Sequence, residues 1–246
     1  MKNHRLTKVG LIIPDISQIK DYQISIINSL KKNKNIKIKF IKTNCVKEKK
    51  INRFLFFFER KFEKKQNKLF YNKFNYLNKA EYNSLDQISD YSKTDVDIFI
   101  NLLGYKIFYN LKNNIKPFWE INYSGSQNVQ YPICFEDLIE IKAYSKIRIV
   151  EILRGKSREV IEGKFNLRKY ALLHQEFILE KTHVLLIKAL NLFNKQKLNY
   201  KKSLQQKNKN KKITILDIFR YYIRNYFVNS SSKDKSWKVY YSSVQK

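Results

Sequence analysis

The sequence has few of the residues that bend a chain or bind a metal ion. Its 246 residues include five glycines, three prolines, two cysteines and three histidines. The phosphate loops GxGxxG and GxxxxGK[ST] and the hydrolase elbow GxSxG are missing. Cys45 and Cys134 stand without a CxxC spacing, so we expect buried thiols in a reducing compartment. His174 and His183 fall on roughly opposite faces of one predicted helix, so we expect no metal site.

Long apolar runs and acidic residues are also scarce. The runs FLFFF and VLLI are far shorter than the ~20 residues that span a bilayer. The apolar run before Pro14 is too short for a signal peptide. Fifty Lys and Arg against 21 Asp and Glu give a net charge of +29, which points to an anionic partner. Because Lys outnumbers Arg 41 to 9, nucleic acid is a disfavoured partner. From the short apolar runs we expect a cytoplasmic protein.

The first forty residues predict a strand, a helix and a second strand. LTKVGLIIP is a continuous apolar run typical of a buried parallel strand, and NIKIKFIKT alternates apolar and basic residues. The segment between them places its isoleucines at helical spacing. This order of elements predicts a right-handed βαβ unit in an open α/β sheet. The hydrophobic content of 43% supports a real core.

Residues 50–80 predict a basic, aromatic helix with two possible roles. Apolar residues share one face and lysines and arginines occupy much of the rest. Such a helix lies either on an anionic membrane surface, making the protein peripheral to a membrane, or on the sheet as an ordinary amphipathic helix.

Candidate site residues cluster at predicted strand ends. A buried strand from residue 96 to 102 places Asn101 and Gly104 near its carboxyl end, and Asp15 follows the first strand. Open α/β sheets bind their ligands at this edge. The alternative role for Asp15 is to cap the helix that follows it. The stretch KPFWEI predicts a bend that aims Trp119 and Glu120 into a cleft, with burial of the aromatic ring as the alternative.

The remaining sequence predicts an antiparallel extension and C-terminal helices. LIEIKAY, KIRIVEILRG and REVIEGKF look like strands, and Arg154 after the second of them is a candidate phosphate ligand or a surface ion-pair partner. A long helix follows, beginning near LRKYALLHQ. Residues 1–195 are the predicted domain, and residues 196–246 are a basic linker, a short helix and an unpaired terminal strand, WKVYYSS.

Five segments together resemble a known family. KVGLIIPD, FLFFFERKFEKK, DVDIFINLLG, FWEI and VEILRGKSREVIEGKF resemble the formyltransferase-like N-terminal domain of glucosamine inositolphosphorylceramide transferase-like proteins, over about residues 8–193. The resemblance implies a Rossmann-like sheet of the formyltransferase type and a β-propeller-like partner domain. The terminal segment WKVYYSS resembles the first strand of that partner domain. The resemblance implies that formyl transfer uses an Asn, a His and an Asp, with the His as the base. Members of the family carry a His-rich segment between the strand that ends in Gly and FWEI, whereas this chain has no His between Gly104 and FWEI.

Three functions therefore follow from the sequence. The first is a domain of a sugar- or glycolipid-modifying transferase system that has lost formyl transfer, with Glu120 at the reacting group and a nucleotide-sugar or phosphorylated substrate. The second is a non-enzymatic basic module that binds an anionic membrane or nucleic acid. The third is a structural partner of a separately encoded β-propeller. The sequence leaves both turnover and the cofactor open.

Overall fold

The strands that the structure describes form one mixed sheet. The computed structural model describes residues 6–14, 19, 21–42, 82–84, 94–103, 115–124, 131–202 and 213–228. The strands are β1 (Thr7–Ile13), β2 (Ile36–Lys42), β3 (Tyr82–Ser84), β4 (Ile98–Asn101), β5 (Phe118–Tyr123), β6 (Tyr144–Leu153), β7 (Lys156–Asn166) and β8 (Lys201–Lys202). Their order in the sheet is β3-β2-β1-β4-β5-β6-β7-β8. In this order the first five strands pair in parallel, and the pairs from β5 onwards are antiparallel.

The predicted βαβ opening is confirmed. β1 and β2 pair in parallel with Leu11 opposite Phe40, and helix α1 (Asp21–Lys32) connects them. Val9, Leu11 and Ile13 of β1 are fully buried and share one core with the isoleucines of α1. Because both faces of β1 are covered, its run of apolar residues fits a central parallel strand.

The KPFWEI bend at residues 119–120 is corrected by the structure. β5 begins at Phe118, directly after Pro117, and Trp119 and Glu120 lie inside this strand. Pro117 contributes its carbonyl oxygen to a hydrogen bond from the Phe99 amide, so the proline sits at the strand start, where its missing N–H costs no ladder bond. The two side chains therefore point to opposite faces of the sheet.

The antiparallel extension is confirmed for two of the three predicted strands. KIRIVEILRG is β6 and REVIEGKF is β7, joined by a tight hairpin. LIEIKAY is wrong as a strand: helix α2 (Phe135–Ile139) takes its first residues. Phe135 and Leu138, three residues apart, are both buried against Tyr221, which is a helical spacing and not the strand period of two.

Two further helices complete the described fold. The long helix α3 (Ala171–Asn194) is confirmed, and α4 (Ile215–Tyr222) continues as a π-helical turn, Ile223–Val228. Thr214 and Asp217 form a capping box at the start of α4. The Ala171 amide donates to the Tyr221 hydroxyl at 2.7 Å, so α4 packs on the first turn of α3.

The sheet has two faces with different neighbours. Val9, Ile100 and Trp119 lie on the face that packs on α1 and α3, which we call the helix face. Ile12, Phe99 and Phe118 lie on the opposite face and are also fully buried. None of the described helices is long and apolar enough to cross a membrane. Residues 50–80 and the terminal WKVYYSS, which carry the membrane and propeller predictions, lie outside the described residues.

Candidate functional site

Asn101, the last residue of β4, lies beside Glu120, the third residue of β5. The register pairs Phe99 with Phe118 and Ile100 with Trp119, so one further step places Asn101 beside Glu120. Since side chains alternate along each strand, both point to the opposite face, as do Phe99 and Phe118. The Leu103 amide donates to Asn101 Oδ1 at 2.9 Å, a turn that ends β4 at this residue. The structure thus brings together two of the predicted site residues.

The same face continues with polar side chains across β5, β6 and β7. Asn122 is two residues beyond Glu120, Arg148 is opposite Asn122, and Glu162 is opposite Arg148. Arg148 Nε lies 3.8 Å from Glu162 Oε2. We call Asn101, Glu120, Asn122, Arg148 and Glu162 the polar row.

The polar row is closed at one end and open at the other. Asn101 and Glu120 are 4% and 6% exposed. The side chains of Arg148 and Glu162 are 14% and 25% exposed. Exposure therefore increases along the row from Asn101 and Glu120 to Arg148 and Glu162.

Trp119, a predicted ligand-stacking residue, lies in the core. Its side chain is fully buried on the helix face and meets Phe193 edge to face at 5.7 Å. The Trp119 indole donates to Glu151 Oε2 at 3.1 Å. Its ring is enclosed by protein on the face away from the polar row, as the burial alternative expects.

Glu151 is the buried partner of an ion pair beside Trp119, and the Arg158 side chain is 40% exposed. Glu151 is fully buried and lies 2.6 Å from Arg158 Nη2, and it accepts a 3.1 Å hydrogen bond from the Tyr200 hydroxyl. The Arg158 guanidinium lies over the Tyr200 ring at 3.4 Å. Burial and the neighbouring carboxylate raise the pKa of Tyr200 to about 12, so its hydroxyl stays protonated and donates.

Arg154, another predicted site residue, lies away from the polar row. Arg154 is exposed in the β6–β7 hairpin, where it and Gly155 both have positive φ, as a two-residue hairpin turn requires. It lies six residues along β6 from Arg148, about 20 Å away at the rise of a strand. Asp15 and Gly104 lie outside the described residues.

A second polar cluster lies beyond the end of β5, and sequence reasoning missed it. The Arg168 amide donates to His174 Nδ1 at 3.2 Å, which leaves the ring proton on Nε2, 2.9 Å from Ser145 Oγ. The Ser145 hydroxyl then donates to Asp137 Oδ2 at 2.7 Å, and Lys142 Nζ lies 2.7 Å from Asp137 Oδ1.

This cluster ties α2, β6 and α3 together. Burial lowers the pKa of His174 to about 4, so the ring is neutral at pH 7. Asp137, Ser145 and His174 have no exposed surface, and the geometry fits a structural network.

The cysteine and metal expectations have these outcomes. Cys134 is buried and free, and burial raises the pKa of its thiol to about 12, so the buried thiol is confirmed for this residue. Cys45 lies outside the described residues. Across the described ranges, no group of three or more His, Cys, Asp or Glu side chains is placed to hold a metal ion.

Comparison with solved structures identifies the fold. A sugar 3N-formyltransferase crystallised with dTDP and 5-N-formyl-THF is 14% identical, with a TM-score of 0.53 over 83% of this chain and 69% of that one. A sugar N-formyltransferase from a Shewanella species is 11% identical, with a TM-score of 0.51 over 88% of each chain. A 4-N-formyltransferase from Francisella tularensis is 10% identical, with a TM-score of 0.55 over 90% of this chain and 88% of that one. No family model and no curated protein matches the sequence. The chain has an α/β fold of the formyltransferase type.

Proposed function

We propose that the chain is a formyltransferase-like domain that binds a nucleotide-sugar or phosphorylated sugar along the polar row and does not itself transfer a formyl group. Its setting is a sugar- or glycolipid-modifying transferase system, in which a separately encoded β-propeller is a candidate partner. The observation that carries the proposal is that Glu120 shares a face with Asn101, which ends β4 at the edge where open α/β sheets bind ligands.

The side chains of the polar row suit a sugar. The Glu120 carboxylate accepts hydrogen bonds from hydroxyl or amine groups, and the amides of Asn101 and Asn122 both donate and accept. Because Glu120 is almost enclosed, a hydrogen bond to it would be little weakened by competing water. A site built this way would discriminate strongly against a ligand that lacks the matching hydroxyl.

The positions of the histidines support the absence of formyl transfer. Transfer to an amine needs a base that takes the proton of the attacking nitrogen. His174 is locked between Arg168 and Ser145 with a pKa of about 4, and His183 lies on α3, which packs on the helix face. The remaining histidine is His4, and the interval from residue 105 to residue 117 contains none.

Calorimetric titration with dTDP-glucose tests the binding role of Glu120. The Glu120→Gln variant is expected to bind about tenfold more weakly, a loss of about 1.4 kcal/mol, because the amide accepts fewer hydrogen bonds than the carboxylate. Glu180→Gln is the matched control, since the Glu180 side chain is 67% exposed on α3. Equal affinity of wild type and Glu120→Gln would remove Glu120 from the site.

A separate assay tests the absence of turnover. With N10-formyl-tetrahydrofolate and a dTDP-amino sugar, we expect no release of tetrahydrofolate above the rate without protein. Release that Glu120→Gln abolishes would contradict the inactive interpretation and make Glu120 the base.

An anionic membrane is the second candidate ligand. The net charge of +29 favours it, and residues 195–212 hold eight lysines and no acidic residue. Sedimentation with vesicles of phosphatidylserine and phosphatidylcholine would then fall steeply with salt. Binding to vesicles together with indifference to every nucleotide-sugar would favour this function over the first.

A further inference from the structure

Two lysines face each other across β6 and β7 next to the polar row. Lys146 is directly opposite Lys164 in the antiparallel register. Their ammonium groups lie 5.7 Å and 5.0 Å from the centre of the same Tyr144 ring. Tyr144, Lys146 and Arg148 alternate along β6 and therefore share a face with Lys164. We call these four residues the cationic corner.

Lys146 and Lys164 carry more positive charge than the described side chains around them balance at close range. Glu162 Oε1 lies 3.8 Å from Lys146 Nζ, which is beyond hydrogen-bond distance. Like charges directly opposite each other on a sheet destabilise it. The Tyr144 ring offsets part of this repulsion because its face attracts cations. An anion placed between the two ammonium groups would relieve the rest.

The position of the corner matches the layout of a phosphorylated sugar. Arg148 is opposite Asn122, so the corner continues the polar row at its open end. Glu120 is opposite Val150, and Lys146 lies four residues further along β6, about 13 Å away at the rise of a strand. A sugar ring at Glu120 that carries a diphosphate would extend over a span of this order. Exposure rises from 6% at Glu120 to 32% for the Lys146 side chain.

We propose that the cationic corner binds the phosphate groups of the ligand whose sugar contacts Glu120 and Asn101. The inference rests on the proposed function and names the substrate class as sugar phosphates and sugar diphosphates. Arg148 would supply the planar fork that matches two phosphate oxygens, and Lys146 and Lys164 would act as point charges on either side. The corner takes the phosphate role that the sequence assigned to Arg154, which lies in the far hairpin.

Titration calorimetry with three probes tests the inference. The probes are inorganic pyrophosphate, glucose 1-phosphate and dTDP-glucose, each measured at low and high salt. The test variant is the double substitution Lys146→Gln and Lys164→Gln. The control is Lys156→Gln with Lys188→Gln, which removes the same charge from two exposed positions on the hairpin and on α3. All four lysines are partly or fully exposed, and circular dichroism confirms that both variants remain folded.

The inference expects all three probes to bind the test variant at least tenfold more weakly than the wild type, with the control unchanged. An equal loss in the control would overturn it, because net charge alone would then explain the binding. Unchanged binding of pyrophosphate and dTDP-glucose by the test variant would also overturn it.

The arms separate this inference from the proposed function. Binding of dTDP-glucose that depends on Glu120 but not on the two lysines overturns the phosphate site and leaves the proposed function standing. Binding of pyrophosphate that depends on the lysines, with no added affinity for either sugar phosphate, supports the anion site and contradicts the proposed function. Absence of binding by all three probes overturns both.

Discussion

The Trp119 indole donates a 3.1 Å hydrogen bond to the carboxylate of Glu151, and neither residue has any exposed surface. The bond joins neighbouring strands on the helix face, because Trp119 in β5 is directly opposite Glu151 in β6. The same carboxylate contacts Arg158 of β7 and the Tyr200 hydroxyl. Glu151 therefore links three strands and the segment before β8 through one buried charge.

Trp119→Phe is expected to lower stability and to leave the ligand affinity of the folded protein unchanged. The change removes a hydrogen bond to a charged group, worth about 1.5–3 kcal/mol, and leaves a gap beside Phe193. Urea unfolding measures the first effect, and titration with dTDP-glucose measures the second. A weaker affinity with unchanged stability would return Trp119 to the ligand-stacking role that the sequence suggested.

Arg158→Leu is expected to destabilise the protein by about 3 kcal/mol, because it leaves the fully buried Glu151 without its cation. The further change Glu151→Gln is expected to restore part of this loss, because it removes the uncompensated charge and keeps an acceptor for the Trp119 indole. Urea unfolding of the two single variants and the double variant gives the coupling energy. Additive effects would show that the pair contributes little, and Lys156→Gln on the same hairpin should stay within about 0.5 kcal/mol.

Periodicity predicted the elements whose own sequence contains the signal. The apolar run of β1, the alternation in β6 and the helical spacing in α3 each appear in one stretch of chain. α2 was missed because its five residues are too few to show a helical period. Pro117 suggested a bend, whereas it stands just before β5, which is held straight by hydrogen bonds to its neighbouring strands.

The candidate site depends on strand order and direction, which a single sequence does not contain. Asn101 was predicted from its place at a strand end, and Glu120 from a bend after Pro117 that the structure replaces with a strand. Arg148 was not predicted as a site residue, since its meeting with Asn122 requires the antiparallel register of β5 and β6. Arg154 was placed at the end of β6 correctly, but β6 runs the other way, so its end lies at the far edge.

The buried His174 is expected to make stability depend on pH between about 4 and 6.5. Its folded pKa of about 4 lies below the ordinary 6.5, so the unfolded chain binds the extra proton in this range. The contribution is complete above about pH 6.5 and is lost as the pH falls towards 4. Between pH 7 and pH 5 the free energy of unfolding should fall by about 2 kcal/mol from this residue.

Urea unfolding of His174→Gln at the same two pH values checks this expectation. The variant should be nearly flat where the wild type declines, because glutamine does not titrate. His183→Gln is the control, since His183 lies on the same helix and is partly exposed. An unchanged slope in His174→Gln would assign the pH dependence to other groups.

Lys164→Gln is expected to raise stability in the absence of ligand. The substitution removes one of two like charges directly opposite each other, a gain of roughly 0.2–1 kcal/mol at low salt. The gain should shrink at high salt, where the repulsion is screened. Lys164 is a better choice than Lys146, because Lys146 also lies 3.8 Å from Glu162. Thermal unfolding measures the effect, with Lys156→Gln as the single-charge control.

Pyrophosphate should reverse the order of stability of the wild type and the Lys164→Gln variant. A ligand that binds the folded state stabilises it by an amount that grows with its concentration over its Kd, so the wild type gains more than the variant that lacks one anion contact. Above a sufficient pyrophosphate concentration the wild type becomes the more stable protein. If the plots of melting temperature against pyrophosphate concentration cross, Lys146 and Lys164 together bind an anion that offsets their repulsion. Parallel plots would show that the repulsion results only from the basic composition.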